Sequence, residues 1–176
     1  NSMGVFVSAA FAAVNRIDDF AYMPQQNIAH AMTALMAQNK GAKKTDRIKA
    51  AFRCGMKIEL FYGIFIFFVC FFLAHPLMQL FSNDPVVCKH GVTYLKLISL
   101  MYLFPAVTNG VQGYFRGIGD LKITLISSFV NMSVRVIFAA VLVFHFSLQI
   151  EALPFSYLAG WIGMLLAEVP LLLRKF

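Results

Sequence analysis

The sequence predicts an all-α integral membrane protein, a polytopic bundle of about five transmembrane helices. Three observations point there. Hydrophobic residues make up 60% of the chain and charged residues 13%, against about 45–50% and 25% in soluble domains. The apolar residues fall in long uncharged runs, more than a chain of this length can hide in its own interior. Nineteen Phe against one Trp suit helices packed in hydrocarbon. The formal charge of +7 collects at the ends of the apolar runs, where the positive-inside rule wants it. No basic stripe interleaved with aromatics speaks for nucleic acid.

Crossing a bilayer takes about 20 mostly apolar residues, and five segments qualify. Helix A, residues 8–38, exceeds a ~30 Å core at about 1.5 Å per residue, so it tilts or protrudes. Pro24 removes a backbone hydrogen bond near its middle and is expected to bend it. Asn39-Lys40-Gly41 ends it. Helix B, 51–74, runs through a Phe-rich stretch to the breaker Ser82-Asn83-Asp84-Pro85. Helix C, 92–115, is one span closed by Gly117-Ile118-Gly119-Asp120. Helix D, 123–146, is separated by Glu151-Ala152-Leu153-Pro154 from helix E, 155–173. The start at Asn1-Ser2, without an initiator Met or a cleavable signal, leads to the expectation of a piece of a longer polypeptide.

Orientation follows from the loops. Lys40, Lys43, Lys44, Arg47, Lys49 and Arg53 mark the A–B connection, Arg116 and Lys122 the C–D connection, and Arg174 and Lys175 the C-terminus. The B–C loop offers Lys89 and the D–E loop no Lys or Arg. Alternate loops are therefore basic, and the basic side is cytoplasmic.

Polar residues of helix A recur at steps of three and four: Asn15, Asp19, Tyr22, Gln26, His30 and Thr33. Such a face belongs against protein or a watery cavity, since unpaired polar groups are costly in lipid. It is either interhelical hydrogen-bond glue or the wall of a cleft, with Ala21 and Ile28 on the opposite face toward lipid. Ionisable residues at membrane depth are functional candidates by default. Counted from the cytoplasmic anchors, Arg135 lies near ~20 Å, and Gln26 and Asn27 near ~17 Å. Glu59 and Glu168 lie near ~9 Å, and Asp18, Asp19 and Lys96 near ~30 Å. Depth pairs Asp18 or Asp19 with Lys96, and places Lys57 or Arg53 near Glu59 and Glu168. Arg135 finds no acid at its own level. It is left to bond helix A amides and backbone carbonyls, or an acid from outside the chain.

Cys54, Cys70 and Cys88 are isolated and read as small core hydrophobes. His30, His75, His90 and His145 are scattered without an acid or second His at metal spacing, so no metal or cofactor is expected. A membrane-embedded enzyme is the weaker alternative for the same reason, and the chain is read as a non-enzyme.

Several strings together resemble one family. Ala9-Ala10-Phe11 through Arg16-Ile17-Asp18 to Pro24, then Ala37-Gln38-Asn39-Lys40-Gly41-Ala42 and Asp46-Arg47, are similar to the eighth helix and following loop of multidrug and toxic-compound extrusion (MATE) transporters. Tyr114-Phe115-Arg116-Gly117-Ile118-Gly119-Asp120 resembles that family's loop between helices ten and eleven, and Asn1-Ser2-Met3-Gly4 the end of its helix seven. The resemblance implies that residues 1–176 are most of the C-terminal lobe, helices eight to twelve, of a twelve-helix, two-lobe transporter in the bacterial cytoplasmic membrane. It implies efflux of drugs or of cationic and amphipathic metabolites in exchange for Na+ or H+. The partners would be the bilayer, an N-terminal lobe and small molecules. Some members carry an Asp in helix ten; helix C has none. The substrate-cleft candidates are then Asp19, Tyr22, Gln26, Asn27, His30 and Arg135. Asp18, Lys96, Glu59 and Glu168 are structural or coupling ion-pair candidates. A flippase for lipid-linked precursors, from the same superfamily, is the second alternative. Such a protein lines its cavity with several cations, whereas Arg135 stands almost alone.

The topology is testable in the whole protein stripped of native Cys. A membrane-impermeant thiol reagent applied to intact cells is expected to label a cysteine at Asn83 and spare one at Lys44. The reverse labelling would invert the orientation.

Overall fold

The structure, a computed structural model, describes residues 5–146 and 152–175. Residues 1–4, 147–151 and 176, which include the Asn1-Ser2-Met3-Gly4 string and Glu151, lie outside the described residues. Among the latter the chain forms seven helices and no strand: α1 Val5–Gly41, α2 Thr45–Phe72, α3 Ala74–Gln79, α4 Pro85–Ser99, α5 Leu103–Gly117, α6 Leu121–Phe146 and α7 Ala152–Leu173. Three of them, α2, α6 and α7, are long and apolar enough to cross a membrane. The α4–α5 pair, bent by 48°, passes the same test when its two helices are taken together. Helix α1 is long enough, at ~55 Å, but its polar residues from Asn15 to Thr33 keep apolarity alone from marking it as a span. Packing beside α2, α4 and α5 makes it part of the bundle.

Helix A is thus α1, one helix through Pro24. Tyr62 of α2 donates to the Ala21 carbonyl at 3.1 Å, beside the Phe20 carbonyl that Pro24 leaves without its helical donor. The buried face of α1 includes Ala10, Ala13, Ala21 and Ala29, with Gln25, Met32 and Met36. Its small residues let α5 come within backbone contact. A Cβ on Gly113 would stand 2.9 Å from the Ala29 carbonyl oxygen, and one on Gly117 would stand 2.9 Å from that of Thr33. The Thr33 hydroxyl donates across this seam to the Gly113 carbonyl, at 3.2 Å. Ala21 and Ile28 do not face lipid: Ala21 is core and Ile28 packs against core. The exposed apolar residues of α1 near them are Phe20 and Met23.

Helix B begins earlier than expected, at Thr45, because Asp46, Arg47 and Lys49 disfavour lipid but not helix. Its outer face carries Phe61, Phe65, Phe68 and Phe72, all exposed. The stretch to Gln79 is the separate α3, with Pro76 in its first turn, a tolerated place. Ser82-Asn83-Asp84-Pro85 is the start of a helix as well as a breaker. The Asp84 carboxylate caps α4, accepting from Val86 N at 2.8 Å and Val87 N at 3.2 Å, and Pro85 fills the first helical position.

Helix C is not one helix. It breaks after Ser99 and resumes at Leu103 with a 48° bend. The cause is Pro105, which gives no N–H to the Met101 carbonyl and clashes with a regular turn there. Three-residue bonds replace the helical ones, Met101 N to Ile98 O at 2.9 Å and Phe104 N to Met101 O at 3.0 Å.

Helix D is α6 and helix E is α7, which starts at Ala152 with Pro154 in its first turn. The two pack as a hairpin, Gly163 lying against Val130 and Val134. The hairpin rests on α5, and α7 also touches α4; the backbones of α6 and α7 stay farther from α1. At one end of the bundle Lys40 donates to the Ile118 carbonyl and Lys175 pairs with Asp120 at 2.6 Å. Both bonds grip the α5–α6 turn, where Gly119 takes a φ of 75° that suits glycine.

The α1–α5 seam predicts that Gly113→Val lowers stability by about 1–3 kcal/mol, as overpacking does. Gly41→Ala, with open space around it, is expected to be neutral. Thermal unfolding of the detergent-solubilised whole protein measures both.

Candidate functional site

Because the backbones of α6 and α7 stay apart from that of α1, a gap remains between them, and polar residues line it. The larger cavity, about 410 Å³, is walled by Asn15, Asp18, Asp19 and Tyr22 of α1, and by Tyr102 and Pro105 at the α4–α5 bend. Arg135 of α6 and Tyr157 and Trp161 of α7 complete it. Ligand cavities span about 300–1,000 Å³. A second cavity of about 220 Å³ shares Tyr22, Arg135 and Trp161 with the first, and adds Thr108, Asn109, Gln112, Ser128, Asn131, Met132 and Met164.

Each wall is fixed by a bond that follows from the fold. The Tyr22 hydroxyl donates to Asn109 Oδ1 at 3.2 Å. Gln25, fully buried, donates to the Tyr102 carbonyl at 3.3 Å, at the bend between α4 and α5. Gln112 donates to Ser128 Oγ at 3.3 Å, tying α5 to α6. The Arg135 guanidinium lies 4.0 Å from the centroid of the Tyr157 ring, a cation–π contact. Gly160 makes room for the Arg135 stem, since a Cβ there would stand 2.9 Å from Arg135 Cδ.

Of the residues singled out from sequence, Asp18, Asp19, Tyr22 and Arg135 meet at one cavity. Gln26, Asn27 and His30 do not line it; they are exposed on α1. Arg135 stacks on Tyr157 rather than bonding amides of α1, and Asp18 and Asp19 share its cavity although depth counting set them apart. The count followed Cα positions and ignored how far an Arg side chain reaches.

Lys96 pairs with neither Asp18 nor Asp19: its ammonium lies 5.5 Å from the Phe71 ring centroid. The ion pair among the described residues is Lys175–Asp120. Lys57 and Arg53 do not serve Glu59. They are exposed, whereas Glu59 is fully buried and its carboxylate oxygens have no partner. Glu168 is equally buried. Ser127, Gln112 and the charge of Arg116 face it, without closing a hydrogen bond of standard geometry on its oxygens. Cys70 and Cys88 are buried as expected, but Cys54 is exposed.

Apart from Arg135, sequence reasoning missed the α5 and α6 contributions. The signal was the same one that revealed α1: Thr108 and Gln112 are four apart, and Ser128, Asn131 and Arg135 are three and four apart. Each set falls on one helical face.

A helical bundle with apolar spans and a polar, ligand-sized cavity inside it defines a multi-pass membrane protein. The family model MatE matches residues 1–141, and the chain belongs to that family, whose bacterial members place it in the plasma membrane. The chain is 25% identical over 150 residues to the "Probable multidrug resistance protein NorM" of Thermotoga maritima, covering 85% of this chain and 31% of the relative. It is 26% identical over 164 residues to the "Probable multidrug resistance protein YoeA" of Bacillus subtilis, covering 93% and 34%. It spans about a third of the length of these relatives. A crystal structure of MATE in the bent conformation superposes with a TM-score of 0.91 at 12% identity, over 99% of this chain and 39% of that one. That agreement shows the fold.

Proposed function

We propose that this chain is the C-terminal lobe, helices eight to twelve, of a two-lobe antiporter that exports drugs or amphipathic and cationic metabolites. Coupling is to Na+ or H+. The observation that carries the reading is the cavity of about 410 Å³ between α1 and the α6–α7 hairpin, which joins charged walls to aromatic ones inside a membrane-spanning bundle. Relatives named as multidrug resistance proteins support it. Gln26, Asn27 and His30, exposed on α1, extend the wall of the cleft toward the N-terminal lobe. The chain's partners are that lobe, the bilayer and small molecules, and its work is transport rather than catalysis. Lining charges of two Asp and one Arg fit this better than a lipid-linked precursor flippase, which needs several cations for a pyrophosphate.

Coupling calls for a carboxyl that a proton or cation neutralises. Glu59 and Glu168 fit that need, being fully buried with no hydrogen bond of standard geometry on their oxygens, a condition hydrocarbon does not tolerate for a bare charge.

In the whole transporter, Tyr22→Ala is expected to weaken resistance to aromatic cations. A ring face attracts them by roughly 0.5–2 kcal/mol. Gln26→Ala is expected to shift the drug profile at normal expression, while Met23→Leu on the exposed apolar face leaves it unchanged. Resistance to every drug unaltered in both Tyr22→Ala and Gln26→Ala would remove this face from the cleft.

A further inference from the structure

We infer that Glu59 holds a proton in a closed junction of α1, α2 and α5, and that this proton, shared with Gln25, locks α1 to α2. The junction stands apart from the two polar cavities, neither of which draws a wall from α2. The inference therefore holds whatever those cavities carry.

Close contacts fix the register of α2 against both neighbours. Against α1, the Tyr62 hydroxyl meets the Ala21 carbonyl at 3.1 Å, and Gly55 lies against Met32. Against α5, a Cβ on Gly63 would stand 3.1 Å from that of Ala106, and Gly110 lies against Met56. Glu59 falls between these points on α2, which brings it level with Gln25 on α1 and with Thr108 and Asn109 on α5. All four side chains are buried, Gln25 and Glu59 to 0% exposure. A charge on Glu59 is felt at the Tyr22 hydroxyl, which itself donates to Asn109 at 3.2 Å. Tyr22 is the titratable side chain that faces Glu59 from α1. Helix α5 offers the uncharged Thr108 and Asn109, and no cation among the described residues offsets the burial of Glu59.

The unpartnered atoms at this level are three acceptors and one donor: Gln25 Oε1, both Glu59 oxygens and Asn109 Nδ2. Gln25 is held this way round because its Nε2 donates to the Tyr102 carbonyl at 3.3 Å. An ionised Glu59 would set its oxygens against that of Gln25. A proton on Glu59 turns one acceptor into a donor. The carboxyl O–H then donates to Gln25 Oε1 and its carbonyl accepts from Asn109 Nδ2, so that all four atoms find partners, as buried polar groups do. A metal cation would meet the Asn109 N–H instead. Departure of the proton leaves oxygen facing oxygen across the α1–α2 contact, which must then open or take in water. Tyr22 and Gln25 share one turn of α1, so the lock reaches the wall of the larger cavity.

Infrared spectroscopy of the purified whole protein in lipid at neutral pH tests the assignment, because a protonated carboxyl has a carbonyl band separate from those of carboxylates. Glu59→Gln keeps the shape, a donor and an acceptor. It is expected to remove such a band from the wild-type spectrum and to melt as the wild type does. Glu59→Met, which fills the space without a hydrogen-bonding group, is expected to melt a few degrees lower. Gln25→Met and Asn109→Leu each take one partner away, and whichever of them is isolated folded is expected to shift the band. A protonated-carboxyl spectrum unchanged in Glu59→Gln shows that Glu59 is ionised and overturns the inference. A band that stays fixed when the partners are removed overturns the pairing with α1 and α5. None of these measurements reads export, so their failure leaves the export reading in place.

Discussion

In hydrocarbon a polar group must be met by protein or by water, and α1 carries more polar groups through the bundle than any neighbour. The other helices are arranged around that demand. Helix α5 comes within backbone contact, which Gly113 and Gly117 permit, and takes the Thr33 hydroxyl on its Gly113 carbonyl. The bend between α4 and α5 presents the Tyr102 carbonyl to Gln25. Tyr62 of α2 meets the Ala21 carbonyl near the Pro24 interruption. What these contacts leave unmet, from Asn15 to Tyr22, opens on a polar cavity instead of on lipid.

The same demand explains why the α6–α7 hairpin is held away from α1. Its Arg135 needs a polar or aromatic surround as much as Asp18 and Asp19 do, and a closed interface of apolar side chains would satisfy neither. Tyr157 and Gly160 anchor Arg135 within the hairpin itself, so the gap persists without an ion pair across it. Helix α5 sits between the two halves and touches α1, α2, α6 and α7. Function and fold thus share one cause, the placement of polar residues on α1, α5 and α6. The buried carboxyls of Glu59 and Glu168 stand apart from this network: Glu59 has no hydrogen-bond partner among the described residues, and Glu168 is faced by Ser127, Gln112 and the charge of Arg116 without a hydrogen bond of standard geometry.

Much of this was legible in the sequence because lipid enforces simple rules. Long apolar runs and basic loops located the spans, and steps of three and four located the α1 stripe. Bend and boundary positions were harder to read. The run from Val92 to Phe115 keeps its hydrophobic pattern through the break, and only Pro105 signals it. Asp84 and Pro85 read as a breaker although together they start α4. Side-chain partners were the least legible. Depth along single helices matched Lys96 with Asp18 or Asp19, but a pair also requires adjoining faces, and Lys96 turns toward Phe71. Conversely Arg135 lines one cavity with Asp18 and Asp19, although a count of residues places them at different levels.

The central claim is that the polar face of α1 borders a hydrated cavity within the membrane rather than a dry helix interface. Cysteines introduced singly at Asp19, Tyr22, Phe20 and Met23 of the whole protein, after removal of Cys54, Cys70 and Cys88, test it through their rates of reaction with a small water-soluble thiol reagent in membranes. Fast reaction at positions 19 and 22 with slow reaction at 20 and 23 is the expected result. Equal rates at all four, or faster reaction at Phe20 and Met23, would contradict it.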